Sequence, residues 1–461
     1  MMRVSITMRG AVAVLATAAG ALSLGGCNAN KELLSPQTPQ IITPGSVNSA
    51  TAADALYAGA LDRWKNAMNG NGGNTEAIWN WQALFTDELR SADTFSQRND
   101  ADQRNLQTND GVLTPIYNNA QQARGRARDA INALLQYDDS PTGKQHVGEM
   151  YYVMGYIEMI LSESFCNGIP FGETLNGVPQ YTAGITSVAG AKLASARIDT
   201  AITYLTQPAD FNLKNAALIV KARAQVDAGD FAGAAATVAN VPDSTEYNFE
   251  YSITTFDNEW WVMGPSVKRY NAGDSVSAAG IILNAIPFAQ LNDPRVSVTN
   301  TNIKAEDRTS VFWQVNNWGR DDPIPVVSGI DARLIQAEAK LQSNDIAGMM
   351  TILNALRTTP RHLGLFQIAA MPALPTPPDK NTAVDVFFRE KALWQFERGY
   401  RMGDLRRLVR QYGRTQDKVF PTGNFARNTV PSGTYGTQVA FPVPDAERSN
   451  PLFTGCIDLS A

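Results

Sequence analysis

The chain has 461 residues, a net charge of -5 and 18% charged residues, with Lys and Arg spread along it rather than clustered. That distribution excludes the basic footprint that nucleic-acid binding requires, and with only His146 and His362 present, acid–base or metal chemistry built on His is excluded as well. The length exceeds the usual single-domain size, but an all-helical repeat fold lets one core grow that far.

Arg3 and Arg9 precede an apolar segment from Ala11 to Leu24, which ends in Leu24-Gly25-Gly26-Cys27. A basic start, a short apolar stretch and small residues at a cut site read as a secretory signal over residues 1–26, too short for a lasting membrane span. A pair of small residues followed at once by Cys resembles the lipobox of bacterial lipoproteins. That resemblance implies that Cys27 is acylated and becomes the first residue of the mature chain; the alternative is an ordinary signal with an incidental Cys. Several acyl chains, each contributing about 0.8 kcal/mol per buried methylene, would hold the protein firmly. Losing Arg3 and Arg9 takes the charge from -5 to -7. Asn28 stands where an Asp would resemble the bacterial inner-membrane retention signal, so the outer membrane is favoured. Beyond the signal no apolar run is long enough to span a bilayer, which leaves the anchor as the only membrane contact.

Two further cysteines, Cys166 and Cys456, form an even pair that reads as a disulfide or as two free thiols; in an oxidising compartment the bridge is favoured, and it would pin the C-terminal tail to the middle of the chain. Neither has a second Cys or a His nearby, which excludes a zinc knuckle.

Residues 27–46 hold Pro36, Pro39 and Pro44 with little apolar content and read as an extended tether. A helix capped by Ser49 or Thr51 follows, with Tyr57, Leu61, Trp64 and Met68 on one face, and it ends in the Gly and Asn cluster of residues 69–74. Trp79 and Trp81, with Asn80 and Gln82 beside them, either fill the core or offer flat faces to sugar rings. Residues 100–110 are polar, lack the order of a calcium loop and read as solvated loop. Helices are expected from Pro115 to about residue 137, over 145–164 with Met150, Val153, Met154, Ile157 and Leu161 buried, and over 188–205. His146, with no titratable partner evident, reads as solvated or capping.

The clearest internal signal is a repeat. Ile219, Ala222, Ala224, Val226, Gly229, Asp230 and Gly233 recur 115 residues later as Leu334, Ala337, Ala339, Leu341, Asn344, Asp345 and Gly348. Each copy reads as helix, short turn and helix, with Gly229 and Asn344 where the backbone turns left-handed. These pairs, near 216–240 and 330–357, resemble tetratricopeptide helix pairs, separated rather than tandem. The residues between them, 241–328, are rich in Asn, Asp, Gly, Thr and aromatics, among them Trp260, Trp261, Tyr270, Trp313 and Trp318. Such a stretch predicts loops and short strands that place ligand-binding side chains on a rigid helical frame.

Near the C-terminus, Phe387 to Arg407 reads FFREKALWQFERGYRMGDLRR, and Phe441-Pro442-Val443-Pro444-Asp445-Ala446-Glu447 is followed by Asn450-Pro451. These motifs resemble those of the SusD/RagB family; the usual Gln-Asn-Pro-Gly close is replaced here by Phe453-Thr454-Gly455-Cys456. The same order of weaker motifs runs through the Asp87-Glu88 region, the Asn167-Gly168-Ile169-Pro170 turn and Asp293-Pro294-Arg295. The resemblance implies a mainly α, tetratricopeptide-like domain over 47–461, anchored by lipid at the cell surface. It also implies that the protein caps a SusC-like TonB-dependent transporter and captures a glycan, peptide or other nutrient without a cofactor. From the residues themselves, Glu397 and Arg401 stand at i, i+4, and Asp404 lies within a turn of Arg401 and Arg407. Those charges predict a fold-closing network that knits two helices around a break at Gly399, rather than catalysis. Two rival functions remain. A surface glycoside hydrolase would need two carboxylates about 5 to 10 Å apart across a cleft, whereas Asp87 and Glu88, or Asp321 and Asp322, are sequence neighbours. A scaffold that binds only protein through its helix pairs would hold no small ligand.

Overall fold

Ser49 opens the first helix of the computed structural model, its hydroxyl accepting the Ala52 backbone N–H at 3.3 Å, as a short polar side chain at an N-cap does. The structure describes residues 47–72, 76–175, 178–277, 280–427, 430–458 and 460–461. The expected signal, Cys27 and the tether lie outside the described residues. The chain divides into units 1–47 and 48–461, and every element below lies in the second.

Helix α1, Ala50–Asn69, buries Leu56, Ala60, Trp64 and Met68, with Tyr57 and Leu61 half-buried beside them. After α2 (Ile78–Phe85) and β1 (Leu89–Ser91) comes α3, Ser96–Gln103. This corrects the expectation of a solvated loop from residue 100. Asp102 is fully buried, accepting the Ser91 backbone N–H at 2.7 Å and two Arg427 nitrogens at 2.5 and 3.0 Å. Asp102 is held in part by a residue 325 positions away in sequence, which local composition does not reveal.

Helices α4 (Leu113–Tyr137) and α5 (Pro141–Ser164) follow, the latter with Pro at its first turn, where a missing N–H costs nothing. The hairpin β2 (Glu173–Leu175) and β3 (Val178–Gln180) leads to α6 (Ser187–Tyr204), α7 (Phe211–Asp227) and α8 (Phe231–Thr237). The inserted region carries β4 (Glu246–Phe249), β5 (Tyr270–Ala272), β6 (Val276–Ser277), β7 (Gly280–Leu283), β8 (Val298–Lys304), β9 (Val311–Val315) and β10 (Ile324–Ser328). The second helix pair is α9 (Gly329–Gln342) and α10 (Ile346–Arg357). Then come the small hairpin β11 (Arg361–Leu363) and β12 (Phe366–Ile368), α11 (Lys380–Trp394), α12 (Arg401–Arg410), β13 (Thr422–Arg427) and β14 (Val430–Thr434).

The large helices pack as a row, α1 on α4, α4 on α5, α5 on α6, α6 on α7, α7 on α8, α8 on α9 and α9 on α10. The fold is mainly α and tetratricopeptide-like. The two repeat copies match down to single atoms. Gly229 and Asn344 turn the chain with φ of 87° and 63°. Asp230 then caps α8 by accepting the Gly233 N–H at 2.9 Å, and Asp345 caps α10 by accepting the Gly348 N–H at 2.8 Å. A Cβ at either third-position glycine would strike the capping carboxylate, so the shared Asp-x-x-Gly has a steric cause.

The segment 390–407 ties this row together. Arg398, fully buried, donates to Asp331 of α9 at 2.7 Å and to the Pro325 carbonyl at 2.8 Å. Arg407 pairs with Glu338, with Asp404 at 2.6 Å and with Asp227 of α7 at 3.3 Å, while Lys391 reaches Asp404 at 2.7 Å. Arg223 of the first pair donates to Glu163 of α5 and to the Gly399 carbonyl at 2.7 Å. One part of the expected network is corrected. Glu397 and Arg401 form no ion pair, because the chain between α11 and α12 leaves the helix: Glu397 has a φ of 58°, so the i, i+4 relation does not apply. Arg401 instead donates to the Thr86 carbonyl at 3.4 Å.

Cys166, just past α5, and Cys456 in the tail are joined as a disulfide with Cα atoms 5.9 Å apart. His146 stacks on Tyr57 at 3.9 Å and meets Asp54 at 3.1 Å, a surface contact at the start of the helical row.

Candidate functional site

The inserted region folds against α2 and the 395–400 turn, and one buried amide organises it. Strand β5 pairs with β1, and Asn271 of β5 bridges to β9: its side-chain oxygen accepts the Trp313 N–H at 2.9 Å and its nitrogen donates to the Val311 carbonyl at 3.1 Å. Strand β9 continues the layer by pairing with β8, placing Asn300 opposite Trp313. Packed on β5 and β9 is a helical turn, Glu259–Trp261, that passes into a π-helical turn, Val262–Ser266. Such turns are rare and concentrate at functional sites. Asn258 begins it, its side-chain oxygen accepting the Trp260 N–H at 3.0 Å while its own N–H donates to the Arg320 carbonyl at 2.8 Å.

That last contact builds a rim. The Arg320 guanidinium lies over the Trp261 ring at 5.2 Å and pairs with Asp257 at 2.8 Å. Trp261 and Trp313 are half-buried, so each keeps part of a ring accessible from solvent. On one face of β9, Trp313 and Val315 alternate away from the buried Phe312. Val315 helps close a small cavity whose other walls include Trp260, Trp318, Tyr270, Gly264 and Glu397.

The structure thus sorts the seven aromatics. Trp79 and Trp81 are each 0% exposed, so of their two readings the core one holds and their candidacy as ligand platforms is corrected. Trp79 donates to the Tyr156 hydroxyl at 3.1 Å and lies against Gly399, where a Cβ would overlap its ring. The Trp81 indole and the Tyr270 hydroxyl both donate to Glu76, at 3.1 and 2.6 Å, so Tyr270 turns its polar end inward. Trp260 and Trp318 line the cavity almost out of solvent, which removes them as surface platforms. Trp261 and Trp313 alone retain accessible faces.

The cavity floor is acidic. Burial, with Glu88 beside it, pushes the Glu397 carboxyl well above the usual range, while the Trp318 indole pulls it back. Burial also raises Glu88 to about 8, against the pull of Arg401 and of the Glu397 backbone N–H. Asp87 turns the other way and accepts the Tyr435 hydroxyl at 2.9 Å. Asp322 accepts the Gly319 N–H at 2.7 Å. Neither neighbouring acid pair straddles a cleft. Among the described residues no group of three or more His, Cys, Asp or Glu side chains is placed to hold a metal ion, and no helix is long and apolar enough to cross a membrane. Sequence reading missed Asn271, Arg320 and Asp257. The polar and aromatic run from Asn316 to Asp322 marks the region, but nothing local pairs Arg320 with Trp261.

The mainly helical repeat frame with its loop-rich aromatic wall has counterparts among solved structures. The chain resembles a SusD superfamily protein from Bacteroides thetaiotaomicron VPI-5482 at 14% identity and TM-score 0.62, over 89% of this chain and 100% of that one. It also resembles a SusD-like carbohydrate binding protein from Bacteroides fragilis NCTC 9343 at 11% identity and TM-score 0.63, over 88% and 99%. A third likeness, to a SusD superfamily protein from Bacteroides vulgatus ATCC 8482, has 15% identity and TM-score 0.59, over 89% and 99%. No family model matches the sequence, and no curated protein matches it. The fold is therefore the SusD fold, in agreement with the resemblance carried by the C-terminal motifs.

Proposed function

We propose that this protein is a non-enzymatic, lipid-anchored binding protein of the outer membrane. It captures a glycan or other nutrient at the cell surface and delivers it to a SusC-like TonB-dependent transporter. The observation that carries this reading is the SusD fold over nearly the whole chain, with the half-exposed Trp261 and Trp313 set in its inserted wall. Solved proteins of this fold include one described as carbohydrate binding. Flat aromatic faces beside Arg320, Asp257 and Asn300 suit the alternating C–H and O–H faces of a sugar ring. Lipid on Cys27 would keep the site at the membrane, and shallow stacking favours release to a transporter over retention.

Calorimetric titration of the chain beginning at Ala29 against poly- and oligosaccharides, with product analysis on the same samples, tests the reading. Saturable binding without cleavage is expected, weakened about tenfold or more by Trp261→Ala or Trp313→Ala. Cleavage products would overturn the non-enzymatic assignment. Binding to peptides alone would move the ligand class. Loss of palmitate incorporation in Cys27→Ser is the expected result for the anchor.

A further inference from the structure

The rim of the inserted wall carries a charge arrangement of its own. The Arg320 guanidinium lies over the Trp261 ring at 5.2 Å, and its Nε–H donates to Asp257 Oδ1 at 2.8 Å. The loop that bears Arg320 is fastened twice to Asn258, whose backbone N–H donates to the Arg320 carbonyl at 2.8 Å and whose side-chain nitrogen donates to the Asp322 carbonyl at 3.3 Å. The same Asn258 caps the turn that holds Trp261. Ring, cation and carboxylate are therefore set as one unit before any ligand arrives. The Arg320 side chain is still 48% exposed, so the unit faces solvent. A guanidinium carries five N–H donors. Only Nε–H is engaged by Asp257, and among the described residues neither Nη of Arg320 donates to a protein acceptor and Asp257 Oδ2 accepts from no donor.

An arginine beside an aromatic ring suits a carboxylate when its charge is free. Here it is not free. Asp257 neutralises it, and Asp321 and Asp322 follow directly in the loop, so one cation stands against three carboxylates. Asp321 is exposed, and neither it nor Asp322 has an ion-pair partner among the described residues. Lys65, over the Phe256 ring at 5.4 Å, is engaged with the Glu250 carbonyl at 3.2 Å and with Asp62 at 3.8 Å. An acidic ligand brought to Trp261 meets like charge, which costs affinity. What the pair offers is a donor beside an acceptor. Two adjacent hydroxyls of a sugar match both, one accepting from an Arg320 Nη–H and the next donating to Asp257 Oδ2, with the C–H face of the sugar on the accessible part of the indole. We propose that Arg320 and Asp257 read a vicinal diol at the Trp261 rim, and that the protein selects glycans without acidic groups over uronate or sulfated ones. The proposal rests on the glycan-capture reading and sharpens it to a ligand class.

Calorimetric titration of the chain beginning at Ala29 tests it, with maltohexaose, cellohexaose, mannohexaose and xylohexaose as neutral probes and hexagalacturonate and hexamannuronate as acidic ones. The best neutral chain should bind at least about tenfold tighter than either uronate, and its Kd should move by less than about twofold between about 50 mM and about 0.5 M salt. Asp257→Asn keeps the shape and frees the Arg320 charge. It should weaken the neutral chain and tighten the uronates about fivefold, the factor that one unit charge at about 4 Å supplies in water. Arg320→Gln should weaken the neutral chain about tenfold without admitting uronates. A uronate that binds as tightly as the best neutral chain would refute the proposal and leave glycan capture standing. Asp257→Asn with no effect on either class would refute the assignment to this pair. Binding of no saccharide of either class would overturn the glycan-capture reading, and the proposal with it.

Discussion

Replacing Glu88 by Gln should change the pH dependence of stability in a defined direction. Glu88 is buried beside Glu397; Arg401 and the Glu397 N–H favour its charged form, Asp404 opposes it, and burial outweighs the first two, leaving its carboxyl near 8 against an ordinary value of 4.5. A carboxyl that holds its proton more tightly when folded contributes stability at low pH. That contribution fades as pH rises from about 4.5 to about 8, because there the folded state binds more protons than the unfolded one. At about 1.36 kcal/mol per pH unit, the full span corresponds to about 5 kcal/mol. Other raised acids, such as Glu158 and Glu163, slope the same way, so the informative quantity is the difference between Glu88→Gln and the unaltered protein. Guanidinium unfolding at intervals from pH 5 to pH 9 should show the variant gaining on the unaltered protein by several kcal/mol. A difference constant to within about 0.5 kcal/mol would refute the placement of Glu88 as a buried, protonated acid.

Three further outcomes are expected. Gly399→Ala should cost about 2 to 4 kcal/mol in guanidinium unfolding, since residue 399 has a φ of 71° and its new methyl would overlap the Trp79 ring. Arg407→Met should cost about 3 to 5 kcal/mol by the same measurement, because it removes the cation shared by the buried Glu338, Asp404 and Asp227 and leaves Lys391 to balance both Glu338 and Asp404. Cys456→Ser should lower stability by about 3 to 5 kcal/mol, as the bridge closes a span of 290 residues, and the loss should vanish when both proteins are compared under reducing conditions.

What could be read from the sequence follows from how local each cause is. The repeat copies were legible because a cap, a turn and a helix face are set within a dozen residues: Asp230 and Asp345 cap, Gly229 and Asn344 turn, and the alanines pack. Helix α3 was not legible, since Asp102 is stabilised by Arg427 from the far end of the chain. The aromatics show the same division. Trp79, Trp261 and Trp313 look alike in sequence, and only the approach of Gly399 to Trp79, or of Arg320 to Trp261, separates a core ring from a rim ring. The i, i+4 reading of Glu397 and Arg401 failed although a break at Gly399 was expected, because that break reaches back to Glu397 itself, whose φ is 58°.

That break links the helical frame to the binding wall. Four consecutive residues reach the cavity, α9, α2 and α7. Glu397 closes the aromatic cavity, Arg398 holds Asp331 at the start of α9, Gly399 receives the Trp79 ring and offers its carbonyl to Arg223, and Tyr400 donates to Asp331 at 3.1 Å beneath the Arg223 guanidinium, which lies 3.7 Å from its ring centre. A second strut, Arg295 to Glu390 at 2.6 Å, fastens the far side of the inserted region to α11. Buried ion pairs of this kind add little net stability over apolar packing, but removing one partner is costly, so they fix which arrangement is allowed more than how stable it is. With Glu390 and Glu397 seven residues apart, both struts of the wall rise from one stretch of chain that also binds both helix pairs. The aromatic wall therefore cannot shift against the frame without uncoupling charges in the core. The wall is rigid, and the adaptable part of the site is its half-exposed rim of Trp261, Trp313 and Arg320.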